Sequence, residues 1–496
     1  MTEVPTAVPS ARQKRMILVA CILGSTVVTL DATVVNVALP SIRDDLGGGF
    51  AGQQWTANAY LVTLSSLILV GGSLGDIFGE RRVFSLGVIA FGATSVVCAL
   101  APTIEVLVLG RALQGVGGAL LTPAALAVIV SAFGPDERGS AVGSWTAWGA
   151  VGMIIGPLVG GQLVDAASWR FIFFLNVPLI LVTLLLIARY VPEGRGGSDR
   201  ARVDITGGAL CAAGLAGLTF GLIRQPEGGF GDPTVFVPLG GGIALLAAFV
   251  LFERRAAHPM LELSLFRRHN FAVGNVETLL MYAGLSLLFF FLVLFLQNAA
   301  GYSAVAAGTA GLPVTMLMFL LSKRFGALAD RLGPRLFMGF GPMVMAAGLA
   351  LLTRLGSDVH YAVDLLPPLV IFGLGLSMTV APLTATVLAD ADEHNAGLAS
   401  GINNAIARVA GLLGIALVGA LVAGRYGDAA DSSVGAFHLA MGISAGLVGV
   451  GGILGLIFVR NPEREVDAGG CPGGQLAGAP RDAALHGARE PVFSSR

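Results

Sequence analysis

Charge is what this sequence has least of. Only 12% of its 496 residues are Asp, Glu, Lys or Arg, whereas a soluble domain carries about 25%. Lysine is nearly absent: Lys14 and Lys323 are the two among 30 basic residues. The formal net charge is −1, so there is no basic field to draw in nucleic acid. The four cysteines, Cys21, Cys98, Cys211 and Cys471, have no metal-ligand spacing and read as small filler, three of them inside apolar runs. No His-Glu-x-x-His helix and no phosphate-cradling Gly-x-x-x-x-Gly-Lys-Ser/Thr loop is present. That argues against a zinc hydrolase and against a pump driven by nucleotide hydrolysis. The six histidines fall in loops, at span ends or in the tail, and no enzyme activity is expected.

Apolar residues are what remain. They make up 55% of the chain, and the mean hydropathy is +0.80. About 20 such residues in a row cross the hydrocarbon of a bilayer. The chain holds fourteen candidate spans, near 16–38, 54–74, 83–101, 104–130, 141–164, 169–190, 204–224, 234–253, 271–297, 303–322, 336–354, 364–389, 398–423 and 436–459. The seventh and eighth are rich in Gly and Pro, which membrane helices tolerate. The basic start, Ala11-Arg-Gln-Lys-Arg15, opens like a signal peptide. The run after it is about 23 residues long, contains Asp31 and lacks a small-residue cleavage site, so it reads as a retained first span.

Basic residues orient the spans. Loops and tails on the side of the N-terminus carry 23 Lys and Arg, those on the other side carry five, and Arg111 and Arg408 lie within spans. This asymmetry predicts that both termini are cytoplasmic and that the span number is even. From about 461 the chain is rich in Gly, Pro and charge and is expected to be disordered.

The chain also repeats itself. Gly72-Ser-Leu-Gly75-Asp76-Ile-Phe-Gly79-Glu-Arg81 returns 254 residues later as Gly326-Ala-Leu-Ala-Asp330-Arg-Leu-Gly333-Pro-Arg335. Thr122-Pro123 is echoed by Ala381-Pro382, and Asp136-Glu137 by Asp392-Glu393. The predicted fold is an all-α membrane protein of two six-helix halves with two extra central helices. The expected organisation is a cytoplasmic N-terminus (1–15), a first half (16–190), a linker with two additional helices (191–255), a second half (256–460) and a tail (461–496). Two related halves rocking about a central site is a transporter plan.

Four motifs carry a resemblance. The loop motif after span 2 resembles the hallmark loop of the major facilitator superfamily. Arg111-Ala-Leu-Gln114-Gly115-Val-Gly117 is similar to that superfamily's span-4 motif. Gly149-x-x-Gly152-x-x-x-Gly156-Pro157-x-x-Gly160-Gly161 resembles the span-5 motif of its antiporters. Leu30-Asp31-Ala-Thr-Val-Val-Asn36-Val-Ala-Leu-Pro40 is similar to the span-1 signature of the fourteen-helix drug/proton antiporters (EmrB/QacA-like). The resemblance covers roughly residues 15–460 and implies the major facilitator fold.

Each motif also has a physical reading. In the loop, Asp76 can cap or pair with an arginine, while Gly75 and Gly79 permit a tight turn. Gly72, Gly75, Asp76, Gly79 and Arg81, with Asp330, Gly333 and Arg335, are therefore the candidate latch between helix ends. A plain positive-inside loop is the alternative. In span 5, Gly152, Gly156, Gly160 and Gly161 form a smooth packing face that Pro157 can bend.

Charges inside a bilayer cost about 2.5–3.5 kcal/mol each on insertion scales. Asp31 and Arg111 each lie seven residues from the outer end of their spans, about 10 Å deep. They are candidate partners, directly or through Gln114, for carrying a proton or meeting a cationic substrate. A static buried ion pair is the alternative. Glu277 and Arg408 enter from the opposite face and are a second candidate pair. Asn403-Asn404 occupies the stretch where relatives of this fold often carry acids. Phe289-Phe290-Phe291 and Phe295 are expected to face lipid or neighbouring helices, and Trp55, Trp145, Trp148 and Trp169 to anchor at the interface.

The resemblance implies a proton-coupled efflux transporter of the bacterial plasma (inner) membrane. It would export lipophilic drugs or antibiotics, cationic ones among them, by alternating access. The proton gradient would drive it with no cofactor, its partners would be the substrate, protons and the bilayer, and a monomer would suffice. Two readings stay open beside it: a dedicated exporter of one endogenous metabolite or lipid, and an importer or facilitator of the same fold.

Overall fold

The computed structural model describes residues 10–193, 204–257, 259–389, 396–424 and 430–461. The expected disordered tail therefore lies outside the described residues beyond 461. So do Arg195, Arg200, Arg202, Arg425, the Asp392-Glu393 echo and the side chains of Asp76 and Asp136.

Fourteen helices are long and apolar enough to cross a membrane. They are α1 (Ala11–Leu46), α2 (Gly49–Gly75), α3 (Glu80–Ala99), α4 (Ile104–Ala132), α5 (Glu137–Ala166), α6 (Phe171–Tyr190), α7 (Ile205–Gly228), α8 (Pro233–Glu253), α9 (His269–Asn298), α10 (Ala304–Leu332), α11 (Pro334–Leu352), α12 (Tyr361–Ala389), α13 (Leu398–Ala423) and α14 (Ser433–Phe458). Among the described residues there is no strand. The chain is an all-helical, multi-pass membrane protein with fourteen spans.

One boundary differs enough to matter. The first span was expected to end near 38, before Pro40. Instead α1 runs through Pro40 to Leu46, because a membrane helix tolerates the lost hydrogen bond when its neighbours cover it. Pro40 is buried there. Asp31 is therefore 15 residues from the end of α1, close to its middle, and not near its outer end.

The packing repeats. In the first half α1 packs on α5 and α6, α2 on α4, and α3 on α4 and α6; in the second, α9 packs on α13 and α14, α10 on α12, and α11 on α12 and α14. The halves meet along two seams, α2 against α13 and α5 against α10. The extra hairpin packs α8 on α7, and α7 lies over the α2–α13 seam, with Leu215 packed against Val62 and Leu412.

Both N-terminal Ala11 and the end of α14 lie on one membrane face, called here the terminal face. The α5–α10 seam is tight at the opposite, outer end. A β-carbon on Gly161 would lie 2.5 Å from the Val305 Cα, and one on Gly308 would lie 3.0 Å from the Pro157 carbonyl. Asp165 of α5 also caps α10, accepting from the backbone N–H groups of Ala304 (3.0 Å) and Val305 (2.9 Å). Toward the terminal face, Thr146, Ala147 and Trp148 of α5 and Phe319, Leu320 and Lys323 of α10 are exposed. The α5–α10 seam is closed at the outer end, and the α2–α13 seam touches near both ends, Gly419 against Gln54 and Gly401 against Leu69.

The aromatics settle inside. Phe290, Phe291 and Phe295 are fully buried, and Phe295 stacks on Phe437 of α14 at 4.2 Å. They face helix neighbours and not lipid. Trp169 is also buried, its indole donating to Asp45 at 2.9 Å, so it is a packing residue and not an interface anchor.

Candidate functional site

The two intramembrane charges of the first half meet because α4 fits tightly against its neighbours. A β-carbon on Gly117 would lie 2.8 Å from the Phe91 backbone nitrogen of α3, and one on Gly115 would overlap the Tyr60 carbonyl of α2. Only glycine allows that approach, and it places Arg111 beside α1. Arg111 and Asp31 are 1% and 2% exposed. Their ion pair, Arg111 Nη1 to Asp31 Oδ2, measures 2.5 Å.

The cluster satisfies nearly every polar atom it buries. Arg111 Nε donates to the Thr56 carbonyl at 3.1 Å and Nη1 also reaches Gln114 Oε1 at 2.7 Å. Gln114 Nε2 donates to Asp31 Oδ1 at 2.9 Å and to Ser95 Oγ at 2.9 Å. Asn176 Nδ2 of α6 reaches the same Asp31 oxygen at 3.1 Å and Ser95 at 3.2 Å. Asp31 therefore accepts from three residues through three hydrogen bonds. The Tyr60 ring lies 4.5 Å from the Arg111 guanidinium carbon and Phe173 lies 5.9 Å from it, in cation–π range. Cys98, expected only as filler, has its sulfur 3.9 Å from Gln114 Oε1.

Glu277 and Arg408 do not pair. Glu277 is completely buried with neither oxygen hydrogen-bonded. It packs against α14, its Oε2 lying 2.9 Å from where a β-carbon on Gly455 would sit. Arg408 is half-buried on the other side of α9, at the seam, and its Nε donates to Asn404 Oδ1 at 3.1 Å. Similar depth did not bring them together because they project from α9 and α13 toward different neighbours. Asn403 ties those two helices instead, donating to Asn275 at 3.0 Å and Thr278 at 2.8 Å.

The loop motif repeats in three dimensions. Gly79 and Gly333 carry φ of 91° and 90°, a left-handed turn that glycine adopts without strain. Arg81 donates to the Ala188 carbonyl at 3.3 Å, and Arg335 to the Leu456 carbonyl at 2.6 Å. Each acceptor is two residues from the end of the sixth helix of its own half. The arginines thus clip helix ends within a half. Gly75 is not part of the turn: it lies inside α2 and lends its carbonyl to the Gly79 N–H at 3.0 Å. Gly72 is likewise helical. Asp330 is exposed, and the Asp76 side chain lies outside the described residues. The Gly71–Gly75 string also contains the spacing Gly-x-Ser-x-Gly. Ser73 sits in a continuous helix, bonded to the Leu69 carbonyl, and not on a nucleophile elbow.

The span-5 glycines do what a packing face should. Added β-carbons on Gly152, Gly156 and Gly160 would meet Thr26, Thr33 and Val34 of α1, and Gly161 faces α10 across the halves. The motif, with Pro157, joins the helix of Asp31 to the outer seam. Asn176, Ser95, Tyr60 and Asp165 were not singled out from the sequence. Asn176 was visible as the one amide in the apolar run Phe171–Ile187, and a polar residue at that depth is a functional signal by default. Ser95 and Tyr60 carried no such mark.

Two repeated six-helix bundles, the first holding a buried charge cluster, have the build of a two-halved membrane transporter. The family model of the Major Facilitator Superfamily matches residues 21–415, and the chain belongs to that superfamily. It is 35% identical to the puromycin resistance protein pur8 of Streptomyces alboniger, over 91% of this chain and 93% of that one. It is 35% identical to the cephamycin export protein CmcT of Amycolatopsis lactamdurans, over 83% and 88%. It is 32% identical to the multidrug resistance protein Stp of Mycobacterium tuberculosis, over 83% and 76%. Among solved structures, a bacterial homolog of the human lysosomal transporter Spinster, inward-facing and unoccupied, matches with a TM-score of 0.67 at 15% identity, covering 90% and 97%. The peptide transporter POT with bound sulfate matches at 0.65 and 16%, covering 89% and 93%. These last two show the fold alone.

Proposed function

We propose that this protein is a proton-coupled exporter of lipophilic antibiotic-like compounds in the bacterial inner membrane, with both termini in the cytoplasm. The observation that carries the reading is the sealed Asp31–Arg111 cluster, next to the glycine-faced helix that closes the outer seam. The terminal face, rich in Arg, becomes the cytoplasmic face, and the closed outer end of the α5–α10 seam supports a state that admits substrate from the cytoplasm. In that state Asp31 is held as a carboxylate by three donors. A proton loaded from outside would have been released before substrate enters. Opening outward turns the inner face of the first half to the outside, gives water access to the carboxylate and lets it take the next proton. Membrane potential supplies about 2.3 kcal/mol per charge per 100 mV for such a cycle. The exporter assignment follows the relatives' names.

The relatives also support a narrower reading. Several are named for a single compound, as in puromycin resistance and cephamycin export, while Stp is named for many. Substrate breadth is therefore set within the seam and not by the fold.

Expression in an efflux-deficient bacterium tests the proposal. Wild type should lower accumulation of a panel of antibiotics and dyes, an uncoupler should abolish the effect, and Asp31→Asn should abolish it without loss of membrane protein. Uncoupler-resistant export would remove the proton from the mechanism. Net accumulation would make the protein an importer.

A further inference from the structure

The charges of the membrane interior do not balance at the seam. Among the described residues, Asp31, Arg111, Glu277 and Arg408 lie inside spans, and Lys323 and Arg324 lie nine and eight residues from the terminal-face end of α10. Asp31 and Arg111 neutralise each other. Glu277 is enclosed behind α9 against the α14 glycines. Arg408 stands at the α2–α13 seam with no carboxylate partner among the described residues, and it lies deeper than Lys323 and Arg324. It is ten residues from one end of α13 and 15 from the other, near mid-membrane. Asn404, one turn before it, is exposed at a similar depth. Polar groups at that depth face a water-filled cavity and not hydrocarbon.

The surroundings of Arg408 suit an anion. Its Nε is held by Asn404, which leaves four guanidinium N–H bonds with no described acceptor. Across the seam from α13 stands α2, whose Gln54 donates to the Ile415 carbonyl at 3.0 Å. The Tyr60 hydroxyl is buried and has no hydrogen-bond partner. Asn58, also on α2 and one turn beyond the seam residue Gln54, has an equally unpartnered amide. A guanidinium in a low-dielectric cleft repels a cation and binds a carboxylate or phenolate in forked geometry.

Resting on the exporter reading above, we propose that Arg408 selects the charge of the substrate. The compounds moved are then lipophilic anions bearing a carboxylate or phenolate, accepted by the free guanidinium N–H groups of Arg408 beside the exposed Asn404. Lipophilic cations are disfavoured.

Two dyes built on one xanthene body test this, anionic fluorescein and cationic rhodamine 123. Proton-driven transport would be measured in proteoliposomes, and equilibrium binding by anisotropy on purified protein. Wild type should prefer fluorescein at least tenfold in both. Arg408→Gln should lose that preference, Arg408→Lys should keep part of it, and Arg408→Glu should reverse it. Equal thermal stability of the Lys and Glu variants excludes a folding artefact. Preference for rhodamine 123, or a fluorescein preference unchanged in Arg408→Gln, overturns the proposal and leaves the exporter reading intact. Arg408-dependent binding of fluorescein without transport overturns the exporter reading and keeps the anion site. Binding of neither dye overturns the anion site.

Discussion

Asp31 owes its charge to neighbours that arrive from α4 and α6, and that dependence makes single changes there informative. Asp31→Asn keeps the side-chain shape but leaves Arg111 buried without a counter-charge. Breaking a buried pair this way costs about 3–5 kcal/mol, so the thermal midpoint in detergent should fall and uncoupler-sensitive export should cease. Adding Arg111→Gln should restore much of the stability and none of the transport. That split separates a coupling role from a structural one. Glu277 should behave in the opposite way. Its oxygens meet no donor among the described residues, and an unpaired buried polar group costs about 1–3 kcal/mol. Glu277→Met should therefore be at least as stable as wild type in thermal unfolding. If stability holds while transport collapses, Glu277 carries a proton after all.

At the scale of the helix, α5 ties the Asp31 helix to the outer seam through glycines that differ in tolerance. Gly156 faces the Thr33 hydroxyl, which can rotate away, whereas Gly161 faces the Val305 backbone, which cannot. Gly156→Ala should cost little. Gly161→Val should prevent outer closure, shifting the protein outward-open. A spin-label distance across the outer ends of α5 and α10 should lengthen, and export should fall while the protein stays folded. Asp165→Ala should act in the same direction more weakly, because capping contributes about 0.5–2 kcal/mol.

For the molecule as a whole, orientation is the first thing to measure. A fluorescent-protein fusion after 461 should glow, and an alkaline phosphatase fusion there should stay inactive, while a phosphatase inserted in the 47–48 turn should be active. The opposite pattern would reverse the exporter geometry, because the open face would then be outside. The extra hairpin adds a second whole-molecule feature. It lies across the α2–α13 seam, so it covers the very contact that must move in a rocking cycle.

Spans, their number and the repeat were legible in the sequence, because hydrocarbon thickness demands long apolar runs and a duplicated motif keeps its spacing. The Asp31–Arg111–Gln114 association was also legible, since opposite charges at matched depth in nearby spans lower each other's burial cost. Three-dimensional packing decided the rest. It brought Asn176 and Ser95 to Asp31, turned Glu277 toward α14 and Arg408 toward the seam, and gave Arg81 and Arg335 their carbonyls on α6 and α14. Depth along a helix follows from residue number, but azimuth against a neighbour depends on how two helices interlock. That depends on side chains hundreds of residues apart, and so the surroundings of Glu277 and Arg408 were settled by the tertiary structure alone.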